Sequence, residues 1–322
     1  MDLLLASLNV RGLRDRGHAS RVLRDLLHLK ADVITLQETH FVCQADERVL
    51  ADDFVVYSAY GDRSSRGVSL LVKRSLGATV NVVFAGAAGR LIVADVAVNS
   101  RKFRIVAVYA PNSPGERVSF FRELEPYLTF SERLVLVGDW NAILDPKIDK
   151  GGRGASGNER CESSLIDMMA RNDLIDRYRL DHPGQEMWTW LNSGRSIKTY
   201  LDRLLVRRVD ADFIACPTFH LLGHSDHKLL LARMQLGDRP RRASHWKFNV
   251  SLLERQDFRD KLEGLIQKEL VGTIMGNRWW VRLKYKIKRF TINYSKRLAI
   301  DKAKMATSLE DKISRAVDGG IP

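Results

Sequence analysis

The sequence predicts an α/β protein in which β-sheets pack together with helices outside, and three observations carry that prediction. Strand-like segments recur up to residue 236; many are rich in Val, Ile and Leu, and several alternate with period two, as in Leu91–Val98. Stretches with apolar residues at three- and four-residue spacing intervene, as amphipathic helices require. Six apolar segments also run into metal-friendly or proton-handling side chains: Leu3–Asn9, Val33–Glu38, Ile105–Tyr109, Leu134–Asn141, Tyr200–Asp202 and Ser225–His227. Polar groups at the tips of buried strands cost desolvation energy unless they share a site. Together the six predict a metal-dependent active site at one rim of a β-sandwich.

In chain order, the strands are expected at Leu3–Leu8, Val33–Leu36, Phe54–Ala59, Val68–Lys73, Leu91–Val98, Phe103–Tyr109, Leu134–Val137, Tyr200–Val206 and Leu229–Met234. Helices are expected at Ser20–Lys30, Arg117–Leu128 and Cys161–Asn172. Gly61–Gly67 has the composition of a hairpin connection. The glycine-rich stretch Lys150–Asn158 lacks the spacing of a phosphate-cradling loop and reads as a flexible one. Gly237–Arg242 marks a linker that divides a catalytic domain at 1–236 from a basic tail at 237–322. In the tail, Trp280, Leu283, Ile287, Phe290 and Tyr294 form one apolar helical stripe among basic residues, a packing seam before a base-stacking surface.

Charge is unevenly spread. Residues 1–238 hold 32 Lys and Arg against 30 Asp and Glu, whereas residues 239–322 hold 20 against 9. The net charge of +13 favours a polyanionic partner, most simply nucleic acid, with the tail supplying most of the long-range attraction. Cys43, Cys161 and Cys216 fit neither a disulfide framework nor a zinc spacing, which suits a reducing intracellular compartment. No apolar stretch approaches a membrane span. Basic clusters at Arg239–Arg242 and Lys284–Arg289 place the nucleus ahead of the cytoplasm as the expected location.

The polar tips suggest chemistry. Glu38 with Asn9 makes an oxygen-donor site of the kind Mg²⁺ prefers. In Gly138-Asp139-Trp140-Asn141, the carboxylate and carboxamide point to one side if the backbone stays extended, and could hold an attacking water. An Asx turn closing the strand is the competing reading. His227, in Ser225-Asp226-His227, suits proton transfer or phosphate contact. Asp202, inside an apolar strand, is a candidate to orient its ring, unless it pairs with Arg203. Tyr109 could set its phenol against a phosphate oxygen. His40, His220 and His224 have no partner at suitable spacing.

Taken in order, Leu8-Asn9-Val10-Arg11-Gly12-Leu13, Gln37-Glu38-Thr39-His40, Tyr109-Ala110-Pro111-Asn112, Gly138-Asp139-Trp140-Asn141, Leu201-Asp202-Arg203 and Ser225-Asp226-His227 resemble the endonuclease/exonuclease/phosphatase superfamily. Leu174-Ile175-Asp176, His182-Pro183 and Trp188-Thr189-Trp190, with Trp246-Lys247-Phe248-Asn249 beyond, look most like the endonuclease domain of LINE-type non-LTR retrotransposon polyproteins. No reverse transcriptase follows, so the chain resembles a truncated copy. The resemblance implies a four-layer αββα sandwich of the DNase I-like kind, with a basic helical tail. It implies Mg²⁺, with Mn²⁺ as a substitute, held by Glu38 with help from Asn9 and Asp226. Asp139 would activate the water or protonate the leaving oxygen, Asn141 would position it, and Tyr109 and His227 would stabilise the phosphate, with Asp202 orienting His227. Thr189 would sit beside the cleft, and Ser225, Arg195 and Lys198 join it as expected substrate contacts. Unlike many relatives, the chain has no proline two residues after the histidine, and its segment Leu191–Lys198 is short.

The expected function is a Mg²⁺-dependent DNA endonuclease that leaves a 3′-hydroxyl, as in retrotransposon target-site nicking. RNA is a further possible partner of the tail. The alternatives are an apurinic, exonuclease-III-like repair nuclease, a phosphoester phosphatase of the same superfamily, and a catalytically idle nucleic-acid-binding fragment.

Overall fold

A computed structural model describes residues 2–130, 132–152, 162–194, 196–237 and 248–270, with 283–284, 286–295, 297–298, 301 and 305. The chain forms two compact units, residues 1–245 and 246–322. In the first unit the strands are β1 Asp2–Asn9, β2 Val33–Gln37, β3 Phe54–Ala59, β4 Val68–Lys73, β5 Thr79–Gly86, β6 Leu91–Val98 and β7 Arg101–Tyr109. They continue with β8 Arg133–Asp139, β9 Lys150–Gly152, β10 Leu174–Asp176, β11 Trp190–Leu191, β12 Ile197–Thr199, β13 Asp202–Arg207, β14 Thr218–Leu221 and β15 Lys228–Gln235. Two six-stranded sheets result, in the orders β14-β15-β1-β2-β4-β3 and β10-β13-β8-β7-β6-β5, with a small third sheet β11-β12-β9.

The inner faces of the two large sheets pack on each other. Leu3, Leu5, Val33, Leu70 and Val72 of the first meet Ile92, Val96, Ile105, Val135, Val137 and Leu204 of the second. Burial of each such side chain contributes roughly 1.5–3 kcal/mol. The outer face of the first sheet, Leu8, Ile34, Leu36 and Leu71, is covered by α1 (Arg16–His28) through Ala19, Val22 and Leu26. On the second sheet, α2 (Pro114–Leu124) packs with α4 (Ser163–Arg171), and α4 and α5 (Arg177–Asp181) pack on β10, while α3 (Pro146–Asp149) packs with β9 of the small sheet. The four layers and the expected strands are therefore present.

The differences from the sequence reading have local causes. Helix α1 begins four residues before Ser20 because the Asp15 side chain caps it, accepting from the His18 N–H at 2.6 Å. Helix α2 begins at Pro114, whose fixed φ suits the first turn. Strand β5 is an edge strand exposed along most of its length and broken by an irregular register at Val82 to Phe84, so it carries no clean alternation. Lys150–Gly152, expected as the start of a flexible loop, instead pairs with Ile197–Thr199; a Cβ on Gly152 would stand 2.0 Å from the Ser196 carbonyl oxygen. The rest of that loop lies outside the described residues. Gly61–Gly67 does connect an antiparallel pair, β3 and β4.

In the second unit, α6 (Gln256–Leu270) buries Phe258 completely. Its ring contacts Phe248, Phe290 and Tyr294, so the described part of the tail's apolar stripe is a packing seam. Trp280 lies outside the described residues. Among the described residues, no helix is long and apolar enough to cross a membrane.

Candidate active site

Strand register alone brings most of the polar tips together. Strands β1 and β2 are parallel neighbours with Asn9 opposite Gln37, so Asn9 and Glu38 leave the first sheet side by side. Strands β7 and β8 are parallel with Tyr109 opposite Asp139, and β13 runs antiparallel with Asp202 opposite Asp139. His227 enters β15 at the same rim. Trp190 bridges to His227, which makes the small third sheet a wall of the cleft.

Local backbone then aims the side chains. Gly138 has φ +144°, and a Cβ there would lie 2.0 Å from the Val108 carbonyl oxygen, so only glycine lets β8 run this close beside β7. Trp140 is fully buried and donates its indole N–H to the Arg203 carbonyl at 3.2 Å, anchoring the turn. Asn141 has φ 44°, so the chain is not extended there. Its N–H donates to Asp139 Oδ1 at 3.0 Å, and the two side chains reach one pocket through an Asx turn. The turn and the site are the same feature. Arg11 and Glu38 also sit at positive φ, 53° and 55°. Such backbone costs on the order of 1–3 kcal/mol per residue and persists where its surroundings over-determine it.

Asn9 is the hub. Its amide donates to Glu38 Oε1 at 2.9 Å and to Asp139 Oδ2 at 3.1 Å, while its oxygen accepts from the Arg11 N–H. The Tyr109 hydroxyl donates to the same Glu38 oxygen at 2.9 Å. Asn141 donates its amide to the Ala110 carbonyl at 2.9 Å. His227 Nδ1 lies 2.9 Å from Asp202 Oδ2, and its Nε2 lies 3.9 Å from Asp139 Oδ2. Asp202 therefore partners His227 and not Arg203.

The electrostatics divide the roles. Burial pushes the Asp139 carboxyl up, and Asp202 adds to the rise against the pull of His227. Burial alone would lower the His227 imidazole, but Asp202 and Asp139 outweigh it and hold it above the ordinary histidine range. Burial, with Glu38 and Asp139 nearby, keeps the Tyr109 phenol protonated. The centre thus pairs a proton-hungry carboxyl with an imidazolium.

A cavity of about 300 Å³ opens over these groups, lined by Arg11, Glu38, Asp139, Trp190, Asp226 and His227 among others. Asp139, Asp202 and His227 present ligand atoms within 4.8 Å of one another. His227 Nδ1 is engaged by Asp202, however, and all three are buried, which suits a proton relay better than a metal shell. The oxygen donors that face the cavity, Glu38 and Asp226 with Asn9 behind, fit a hard divalent cation better. Asp226 Oδ1 is buried and accepts no hydrogen bond, with Arg11 Nε 3.5 Å away, and Asp202 Oδ1 is likewise unsatisfied. Four carboxylates thus meet one imidazole and one half-exposed guanidinium, a deficit of positive charge that a cation would fill.

The remaining expected contacts fall elsewhere. Thr189 is completely buried, and its hydroxyl accepts the Leu201 and Asp202 N–H groups at 3.0 Å each, so it holds Asp202 from beneath. The Ser225 hydroxyl donates to the Asn9 carbonyl at 2.8 Å and accepts the His227 N–H at 3.0 Å, tying the two strand ends together. Lys198 lies on β12, outside the cavity lining. Arg195 lies outside the described residues. Sequence reasoning gave no role to Arg11, or to Trp190, whose indole donates to Asp226 Oδ2 at 3.1 Å. The Trp188-Thr189-Trp190 alternation was the available signal, because period two sends Thr189 inward and its neighbours the other way.

Comparison with known proteins agrees with this architecture. A family model described as "Endonuclease/Exonuclease/phosphatase family" matches residues 6–227. The chain is 28% identical over 308 residues to the "Transposon TX1 uncharacterized 149 kDa protein" of Xenopus laevis, covering 92% of this chain and 23% of that one. It therefore spans about a quarter of that relative's length. Among solved structures it is similar to the AP endonuclease LMAP from Leishmania major, with a TM-score of 0.63 at 20% identity, covering 73% of this chain and 88% of that one. It is also similar to the endonuclease domain of TRAS1, a telomere-specific non-LTR retrotransposon, with a TM-score of 0.56 at 14% identity, covering 74% of this chain and all of that one.

Proposed function

The chain belongs to the Endonuclease/Exonuclease/phosphatase family, and from that premise we propose that it is a Mg²⁺-dependent DNA endonuclease of the retrotransposon target-nicking type. It hydrolyses a phosphodiester by in-line attack of water and leaves a 3′-hydroxyl. The observation that carries the reading is Asp139, a buried carboxyl set 3.1 Å from Asn9 Nδ2 and 3.9 Å from the Asp202-bound His227.

His227 already holds its proton, so it serves as a donor and positive charge toward the phosphoryl oxygens. Asp139, raised by burial, is the group suited to take a proton from water. The second amide hydrogen of Asn141 is a further donor beside the phosphate, and the Tyr109 hydroxyl, which donates to Glu38, would join it by turning from that carboxylate. Glu38 and Asp226, with Asn9, would hold the metal, which when bound supplies charge neutralisation on the phosphoryl oxygens. The similarity to transposon and retrotransposon proteins supports a DNA target.

Nicking of supercoiled plasmid in Mg²⁺ by the full chain and by Glu38→Ala tests the reading. The wild type is expected to nick and the variant to lose nearly all activity. Equal rates would overturn it.

A further inference from the structure

The cleft wall carries two ammonium groups that the scheme above leaves unused. Lys228 directly follows His227, and its N–H donates to the Thr189 carbonyl at 2.7 Å, which locks it to the strand that supports Asp202. Its Nζ lies 3.4 Å from the centre of the Trp188 ring, a cation–π contact that fixes where the charge stands. Lys198 approaches from β12 of the same wall, its side chain lying over Gly151, where a Cβ would come within 2.6 Å of Cε.

Lys228 is half-buried, and the Lys198 charge bears on it. Among the described residues, neither lysine is paired with a carboxylate. Elsewhere in this unit the buried guanidinium groups are matched: Arg104 with Asp95, Arg117 with Glu162, Arg203 with Asp149. Two neighbouring like charges, one half-buried and fixed on an aromatic ring, are unfavourable until an anion lies between them. Neither lysine lines the cavity over Asp139. An anion held there is not the scissile phosphate.

We propose that Lys228, seated on Trp188, and Lys198 form a clamp for a backbone phosphate of the DNA flanking the cleavage position. The clamp rests on the endonuclease reading for its ligand and contributes affinity without reading bases.

The test is anisotropy of a labelled duplex titrated with the full chain in EDTA at several salt concentrations. Lys228→Met keeps the aliphatic stem on Trp188 and removes only the charge; Lys228→Arg restores it. Lys228→Met is expected to weaken binding roughly three- to tenfold and to lower the slope of log K against log salt by about 1, with Lys228→Arg near wild type. Unchanged affinity and slope in Lys228→Met would overturn the clamp. So would equal losses in both variants, since that pattern marks packing and not charge. A wild type that binds duplex with the expected Lys228 dependence but never nicks would sink the endonuclease reading and leave the clamp standing.

Discussion

Two buried polar clusters flank strand β13, and adjacent residues of that strand belong to opposite ones. Asp202 turns to His227 beneath the cleft, while Arg203, completely buried, points to the other face. Arg203 meets Asp149 at 2.7 Å and Asp176 at 2.8 Å, and Asp149 also meets Arg179 at 2.6 Å. The leftover lone pairs are used: Asp149 accepts the Leu144 and Asp145 N–H groups, and Asp176 accepts those of Tyr178 and Arg179. Two cations face two anions. Burial alone would raise the Asp149 carboxyl, but Arg203 and Arg179 outweigh it and hold it below the usual range. In the cleft, four carboxylates face one imidazole and one half-exposed guanidinium, and Asp139 is raised instead. Asp139 and Asp149 are equally buried, and the opposite charge balance around them separates scaffold from reaction site: the balanced cluster holds elements together, and the unbalanced one stores a demand for cation and proton.

The contrast is sharpest in single substitutions that remove charge without volume. Asp139→Asn should lower the nicking rate by roughly 10²–10⁴-fold, measured as initial rates on supercoiled plasmid. Its fold should survive, because a neutral amide suits that pocket. Arg203→Met should do the reverse. It strands Asp149 and Asp176 in the interior and should cost about 3–5 kcal/mol in urea unfolding, with lost activity following lost fold.

Acid titration separates the clusters by sign. The folded Asp149 pKa lies below the unfolded value of about 3.9, so its contribution is complete above that value and lost as pH falls through the depressed one. Asp149→Asn should therefore lower the urea midpoint at neutral pH and flatten its acid limb. The folded Asp139 pKa lies above the unfolded value, so its ionisation opposes folding as pH rises. In EDTA, Asp139→Asn should raise the midpoint at pH 8. A drop there would break the comparison.

Smaller effects follow from the metal and from the tie between strand ends. Adding Mg²⁺ at several times its Kd should raise thermal stability by about 1 kcal/mol through linkage, and Glu38→Ala should abolish the shift while the Arg203 cluster is intact. Ser225→Ala removes one hydroxyl that joins Asn9 and His227 and should cost about 0.5–1.5 kcal/mol in urea unfolding.

Much of this was legible in the chain itself. The central strands are short, apolar and bounded by polar tips, and their local patterns match their final ranges because both faces are buried. The edge strand β5 and the three-residue strands β9 and β12 escaped, since exposed or very short strands leave no periodic trace. The polar tips were legible as candidates, yet Thr189 and Ser225 turned their hydroxyls to the backbone, and Asp149, with no motif around it, became half of a buried ion-pair network.

The sequence by itself determined which residues end the buried strands, and in what order, because hydrophobic periodicity is a local property. Only the tertiary structure decided that Asn9 bridges Glu38 and Asp139 across 130 residues of chain, that Asp202 takes His227 while Arg203 turns away, and that Asp139 is the carboxyl raised by burial. Those outcomes depend on strand register and on desolvation, which exist only once distant segments have excluded water together.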